Sequence, residues 1–255
     1  MQVSDTGTPP ALPLSRAAVA GFWIGLFACV LLMIDGPFYR MHIWGLFIGL
    51  RVVFPSVLVL GIIAVLLSLP GFGRPGSRGV AIAALTLGWI AALLPALNLY
   101  IGAHSPIHDV STDTVHPPQF LTLLLVRAVD KATNSANYNT KTAQLQKEAY
   151  PDIVPLHLDQ QPDQVFTHAL AAVRAMGWEI VATDPAHGRI EATTTSFWFG
   201  FKEDIVVRIT QEDNGSRVDV RSLSRTSQSD VGANARHVRD FLARIRGPRF
   251  TRDRR

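Results

Sequence analysis

Three uninterrupted apolar runs fill most of the first hundred residues, and short polar–apolar alternations fill much of the rest. Residues 17–34, 52–69 and 79–101 contain no charged side chain. At 1.5 Å of rise per residue, runs of this length cross a hydrocarbon core of about 30 Å. None has the polar stripe that a helix half-buried in a soluble core would show. The second run extends back to residue 43, broken only by Arg51. Three membrane helices are therefore expected, over 17–34, 43–69 and 79–101. Gly25, Pro55, Gly61 and Pro95 inside them are tolerated in membrane helices. Arg16 is the only basic residue before the first run, and Asp35, Gly36 and Pro37 after it offer no small-x-small cleavage site. This run reads as a retained anchor rather than a cleaved signal. Arg51 reads as a charge that snorkels from the start of the second span, rather than as an ion path or lipid site.

After residue 103 the pattern changes. Residues 104–118 hold Pro106, Pro117 and Pro118 and have no helical period, so an extended connector is expected. The connector continues to residue 150 with partial structure: a short helix within 120–129 and a loop over 134–139. A compact domain is expected over 151–246. Val165, Phe166, Ala169, Leu170 and Val173 give 164–176 a helical period, which Gly177 ends. Four alternating strands follow, over 178–183, 189–195, 204–210 and 217–224. Their inward faces carry Trp178, Ile180 and Ala182; Ile190, Ala192 and Thr194; Ile205, Val207 and Ile209; and Val218 and Val220. Turns fall at 184–188 and 213–215. A last helix over 231–246 starts after a Ser229 or Asp230 cap. The α-β-β-β-β-α order predicts an α+β domain with a four-stranded antiparallel sheet and both helices on one face.

Charge separates the same two regions. Residues 1–103 carry five basic residues (Arg16, Arg40, Arg51, Arg74, Arg78) and two acidic ones (Asp5, Asp35). The remainder is nearly balanced, with the basic excess concentrated in eight arginines after residue 235, several of them in a tail over 247–255. A high pI therefore implies no nucleic-acid partner. Arg16, Arg74 and Arg78 lie on one side of the spans, and Arg40 and Arg51 on the other. By the positive-inside rule, residues 1–16 are cytoplasmic and the folded domain is extracytoplasmic. The expected setting is the inner membrane of a bacterium, with the domain in the periplasm. Cys29 is the single cysteine, so no intrachain disulfide or thiolate zinc site can form.

Four groups of residues can carry chemistry. His104, His108, Asp109, Asp113 and His116 are metal-capable, but their spacing fits no metal motif, and neither metal nor cofactor is expected. The outward face of the sheet carries Glu191, Thr193, Arg208, Asp219, Arg221 and Arg225. It reads either as a solvated cross-strand ion-pair ladder or as an anion-binding surface. The run Phe197, Trp198, Phe199, Phe201 is either an exposed anchor or a closure of the core. Ser222 and Ser224 make a dyad with His237 only by assumption. The acidic Asp109–Asp113 stretch can fold back onto Arg221 and Arg225, or remain a solvated linker. The candidate ligand-binding residues are Asp109, Asp113, Arg221, Arg225, Asp230 and Asn234.

Several spaced motifs also resemble a known family. They are Ile107 through Asp113 with Pro117, Pro118, Gln119 and Phe120; Tyr150, Pro151, Asp152 and Ile153; and Gly177 with Trp178. Arg189 through Thr193 follow, then Phe199, Gly200 and Phe201 with Asp204. Asp219 through Ser222 with Ser224 and Arg225 come next, then Asp230, Gly232 and Asn234. Together they are similar to domain-of-unknown-function family 1499, found in bacterial membrane proteins, over residues 104–246. Thr226 and Ser227 stand where that family commonly has Val-Gly, which bears on the local turn. The resemblance implies a domain type and no activity. The expected function is a membrane-anchored binding, scaffold or interaction module of the cell envelope, with the bilayer and an envelope protein or anionic ligand as partners. The alternative is a hydrolytic or metal-assisted enzyme with a site between 104–116 and 221–234.

Overall fold

The computed structural model describes residues 13–104, 107–226 and 231–247. The chain forms two compact units, Met1–Tyr100 and Ile101–Arg255.

The first unit is a helical bundle. Helix α1 spans Arg16–Arg40, a π-helical turn spans Ile48–Val53, α2 spans Phe54–Phe72 and α3 spans Arg78–His104. Three of its helical stretches, Arg16–Arg40, Ile48–Phe72 and Pro75–Tyr100, are long and apolar enough to cross a membrane. The buried face of α1 carries Ala18, Gly21, Gly25 and Ala28, and that of α2 carries Val57, Gly61, Ala64 and Ser68. Large residues such as Trp23, Phe27, Met33, Leu66 and Trp89 point outward. Small residues inside and large apolar ones outside is the pattern of helices packed in lipid, where close backbone approach supplies the cohesion. At one close crossing a Cβ on Gly61 would lie 2.7 Å from the Gly88 carbonyl, and one on Gly88 would lie 2.8 Å from the Gly61 carbonyl. At one end, Ser15 caps α1 by accepting from the Ala18 N–H, and its own N–H donates to Ser77 Oγ at 2.7 Å.

The helix limits differ from the apolar runs. Helix α1 continues through Asp35 and Gly36, both buried, and through Pro37. An ionisable residue ends an apolar run in sequence, but a bundle that buries its side chain lets the helix continue. Arg51 lies exposed in the π turn.

The second unit is built on one antiparallel sheet. Its strands are β1 (Asp109–Ser111), β2 (Leu156–Leu158), β3 (Glu179–Asp184), β4 (Arg189–Thr195), β5 (Lys202–Glu212) and β6 (Gly215–Ser224). The order is β1-β6-β5-β4-β3, and β2 also pairs with β6. The sheet thus has six strands, not the expected four. Strands β1 and β2 lie along the same edge of β6, paired with 221–223 and 216–218. At three residues each, they are too short to display an alternation. Gly215 is needed where β2 meets β6, because a Cβ there would lie 2.0 Å from the Leu158 carbonyl.

One face of the sheet holds the main core. Ile190, Ala192, Ile205, Val207, Ile209, Val218 and Val220 pack against α6 (Pro162–Ala175) and α7 (Ala233–Arg246). Trp178 is buried in this layer and stacks on Phe241, with ring centroids 5.8 Å apart. A bulge between Ile180 and Ala182 places Ala182 opposite Glu191. Ala182 therefore leaves the face of Ile180, contrary to strict alternation. The Ser229 and Asp230 caps expected for α7 lie outside the described residues; its N-cap position is Gly232.

Helices do not lie on one face alone. Helix α4 (Thr122–Val129) packs on the opposite face with Phe120, Leu123, Val206 and Leu223. The stretch expected as a connector thus supplies β1, α4 and α5 (Thr140–Ala149) to the folded unit.

Candidate functional site

Alternation correctly groups the charged residues on one face, but that face is not solvated. Glu191, Thr193, Asp219, Arg221 and Arg225 are buried, as is Asp204 beside them, and Arg208 is half-buried. The covering layer is residues 112–139, and its polar groups, with Asp109 of β1, complete the hydrogen bonding.

Arg221 is fully buried on β6. Its Nε donates to Asp109 Oδ1 at 2.9 Å and its Nη2 to Asp109 Oδ2 at 2.7 Å. This bidentate pairing suits a planar guanidinium. The remaining donors reach the carbonyls of Pro118 and Ala136, and the group lies 5.0 Å from the Phe120 ring and 5.4 Å from the Tyr138 ring. Burial, with the Asp109 charge adding to it, pushes the Tyr138 phenol well above its ordinary value. Beside it, Gln146 Nε2 donates to the Ser111 carbonyl while Gln146 Oε1 accepts from the Ser111 N–H. A side-chain amide thereby takes the place of a strand neighbour at the edge of β1.

Asp113 belongs to a separate cluster. Its Oδ1 accepts from the N–H groups of Val115 and His116, and its Oδ2 pairs with Arg208 and Arg217. Both arginines also bind Asp219. Burial opposes ionisation of Asp113, but the His116 and Val115 amides with Arg217 and Arg208 outweigh it and hold the carboxyl below its ordinary value.

A third cluster centres on Asp204. Arg225 donates to it through Nε and Nη2, Arg127 donates at 2.7 Å and the Thr193 hydroxyl at 2.9 Å. Arg225 also binds Asp130, which the Lys202 hydrogen bond holds below its ordinary value. Asn234 is buried too. It accepts from the Ser222 hydroxyl and donates to Ser224 Oγ and the His108 carbonyl.

Among the described candidate residues, the structure brings Asp109 and Arg221 together. Asp113, Arg225 and Asn234 each belong to another set of partners, and Asp230 lies outside the described residues. The stretch considered as one wall of an enzyme cleft is joined to the other by strand pairing, Asp109 to Leu223 and Ser111 to Arg221. Ser222 and Ser224 bond Asn234. Among the described residues, no three metal-capable side chains converge.

Sequence reasoning missed the part played by Glu191. Its Oε1 accepts from the N–H groups of Leu121 and Thr122, and its Oε2 from that of Leu123 at 2.7 Å. It thus caps α4, whose own N-cap residue, Leu121, has no capping side chain. A cap supplied from about seventy residues away leaves no local signal. Replacing Glu191 by Ala should cost about 1–3 kcal/mol through unsatisfied buried donors. Amide exchange at Leu121–Leu123 should accelerate, and unchanged exchange there would refute the cap.

With these clusters self-paired, an open polar cleft lies elsewhere. Met176, Trp178, Thr194, His237, Asp240 and Arg244 line it. His237 Nδ1 is buried without a hydrogen-bond partner. Burial keeps the imidazole below its ordinary pKa, Arg236 adds to the effect, and Asp240 opposes it. The cleft therefore sets a carboxylate, Asp240, and a guanidinium, Arg244, around a largely buried imidazole. Just beyond Thr194, the β4–β5 loop exposes Phe197 (86%) and Trp198 (39%), while Phe199 and Phe201 stack at 5.0 Å, both half-buried. The aromatic run thus divides into an outward pair and an inward pair.

Among curated proteins, none matches the chain. A family model described as "Protein of unknown function (DUF1499)" matches residues 109–245. That match begins at the first residue of β1, so the covering layer belongs to the family's domain. It takes in more than half of the sequence, and the chain is a member of the DUF1499 family.

Proposed function

We propose that the protein is a membrane-anchored binding or interaction module of the bacterial cell envelope, with its folded domain on the extracytoplasmic side of the inner membrane. The observation that carries this reading is the contrast between a buried, self-paired charged face and an exposed aromatic tip beside a polar cleft. A surface whose charges already have partners is a scaffold. Protruding Phe197 and Trp198 suit an envelope protein, since exposed aromatics are enriched where proteins meet. The cleft at His237 and Arg244 suits an anionic group on such a partner. A photo-cross-linking amino acid at position 197 should give a discrete adduct in cells, and one at exposed Lys141 should not. Equal labelling from both positions would reject the tip as a recognition surface.

The orientation rests on Arg16, Arg74 and Arg78 at one end of the bundle. The hydrogen bond from the Ser15 N–H to Ser77 Oγ supports placing both segments on one side. Alkaline phosphatase fused after Arg255 should be active. An inactive phosphatase paired with a fluorescent cytoplasmic reporter at the same position would reverse the orientation.

A further inference from the structure

We propose that Asp35 is a proton-binding site of the membrane unit, a carboxyl held as the neutral acid between α1 and the π turn. Asp35 is wholly buried, and neither carboxyl oxygen has a hydrogen-bond partner. An ionised carboxylate in that state has lost its water and gained neither a counter-charge nor donors, which is the costly combination. Ionisable residues inside membrane helices mark function when they persist there.

The surroundings select the ligand. A Cβ on Gly49 would lie 2.8 Å from Asp35 Oδ1, so the backbone of the π turn presses against the carboxyl. Such i→i+5 turns are rare and concentrate at functional sites. The indole of Trp44 is the polar side chain nearby, and its Nε1 is likewise buried outside hydrogen-bond geometry. An indole N–H donates and cannot ligate a cation. About one to two turns back on α1, Ala28, Leu31 and Leu32 join Val53 and Val57 in an apolar cluster. A hard cation needs about six oxygens, and this wall does not supply them. A proton needs one.

The titratable side chains on the elements packed here are His42 and Arg51, both exposed, with Cys29, Tyr39 and Arg40 on α1 itself. None of them bonds the Asp35 carboxyl. Asp35 lies nineteen residues along α1 from Arg16, about 28 Å of helix. That distance is close to the full hydrocarbon thickness, so the site sits near the boundary remote from Arg16. Its proton can exchange with water there without crossing the bilayer. Uptake adds one proton to one carboxylate oxygen, and release returns it to water.

The test uses the full chain in lipid vesicles at neutral pH. The infrared difference between wild type and Asp35→Asn should contain the C=O stretch of a neutral carboxylic acid, sensitive to deuterium exchange. A difference showing only carboxylate bands would overturn the proposal. A second measurement needs no variant. N,N′-dicyclohexylcarbodiimide, which adds to protonated carboxyls in apolar sites, should label the wild type within the peptide containing Asp35, and labelling should decline as pH rises. Labelling that sodium or potassium suppresses at fixed pH would assign a metal cation and overturn the proton site. Absence of both label and neutral-acid band would do so as well.

Discussion

Replacing Asp204 by Ala should unfold much of the sheet domain, at a cost of about 3–5 kcal/mol. The carboxylate is fully buried and accepts from Arg127, Arg225 and Thr193. Its removal leaves the buried Arg127 guanidinium without its carboxylate partner and Arg225 with Asp130 alone. Asp204→Asn keeps the shape and loses the charge, so it should fall near Asp204→Ala rather than near wild type. Hydrogen exchange of β4–β6 peptides in the full chain measures this, because exchange from the slowest amides tracks global opening. A loss below about 1 kcal/mol for both variants would mean that the cluster contributes little.

The second large effect concerns Asp109 and Arg221. Each replaced alone, by Asn and by Met, should cost about 3–5 kcal/mol, since either change strands a buried charge. Together they should cost well under the sum, because the second change removes the charge that the first exposed. That difference is the coupling energy of a double-mutant cycle. Coupling near zero would mean that β1 does not dock through this pair.

The sequence reading of these residues worked at one range and failed at another. Alternation over 189–195 and 217–224 placed Glu191 and Arg221 on one face, because a strand's period is a local property. Whether that face meets water is decided by Phe120, Leu123 and the chain to Ala136, which return to it from seventy to a hundred residues away. No local pattern carries that information. The membrane spans were legible because lipid demands unbroken apolarity. Their ends were not, because Asp35 is hidden by Gly49 from another element. Strands β1 and β2 were illegible at three residues, and the bulge beside Ile180 moved Ala182 without any glycine or proline to announce it. The fold-back of Asp109 onto Arg221 could be posed from their opposite charges. The different partners of Asp113 and Arg225 could not, because Arg208, Arg217 and Asp204 are distinguished from other charged residues only by position in the sheet.

The pairing of β1 with β6 also imposes a timetable. Asp109 and Arg221 are 112 residues apart in the chain. A ribosome adding about 5–20 residues per second needs roughly 6–22 seconds to cover that gap. Throughout that interval Asp109 is without Arg221, and Arg127 waits 77 residues of synthesis for Asp204, so the covering layer cannot close over the sheet. The domain's N-terminal third must wait for its C-terminal strand, and a nascent chain arrested before Arg225 should remain a substrate for chaperones and proteases however well its membrane helices have inserted.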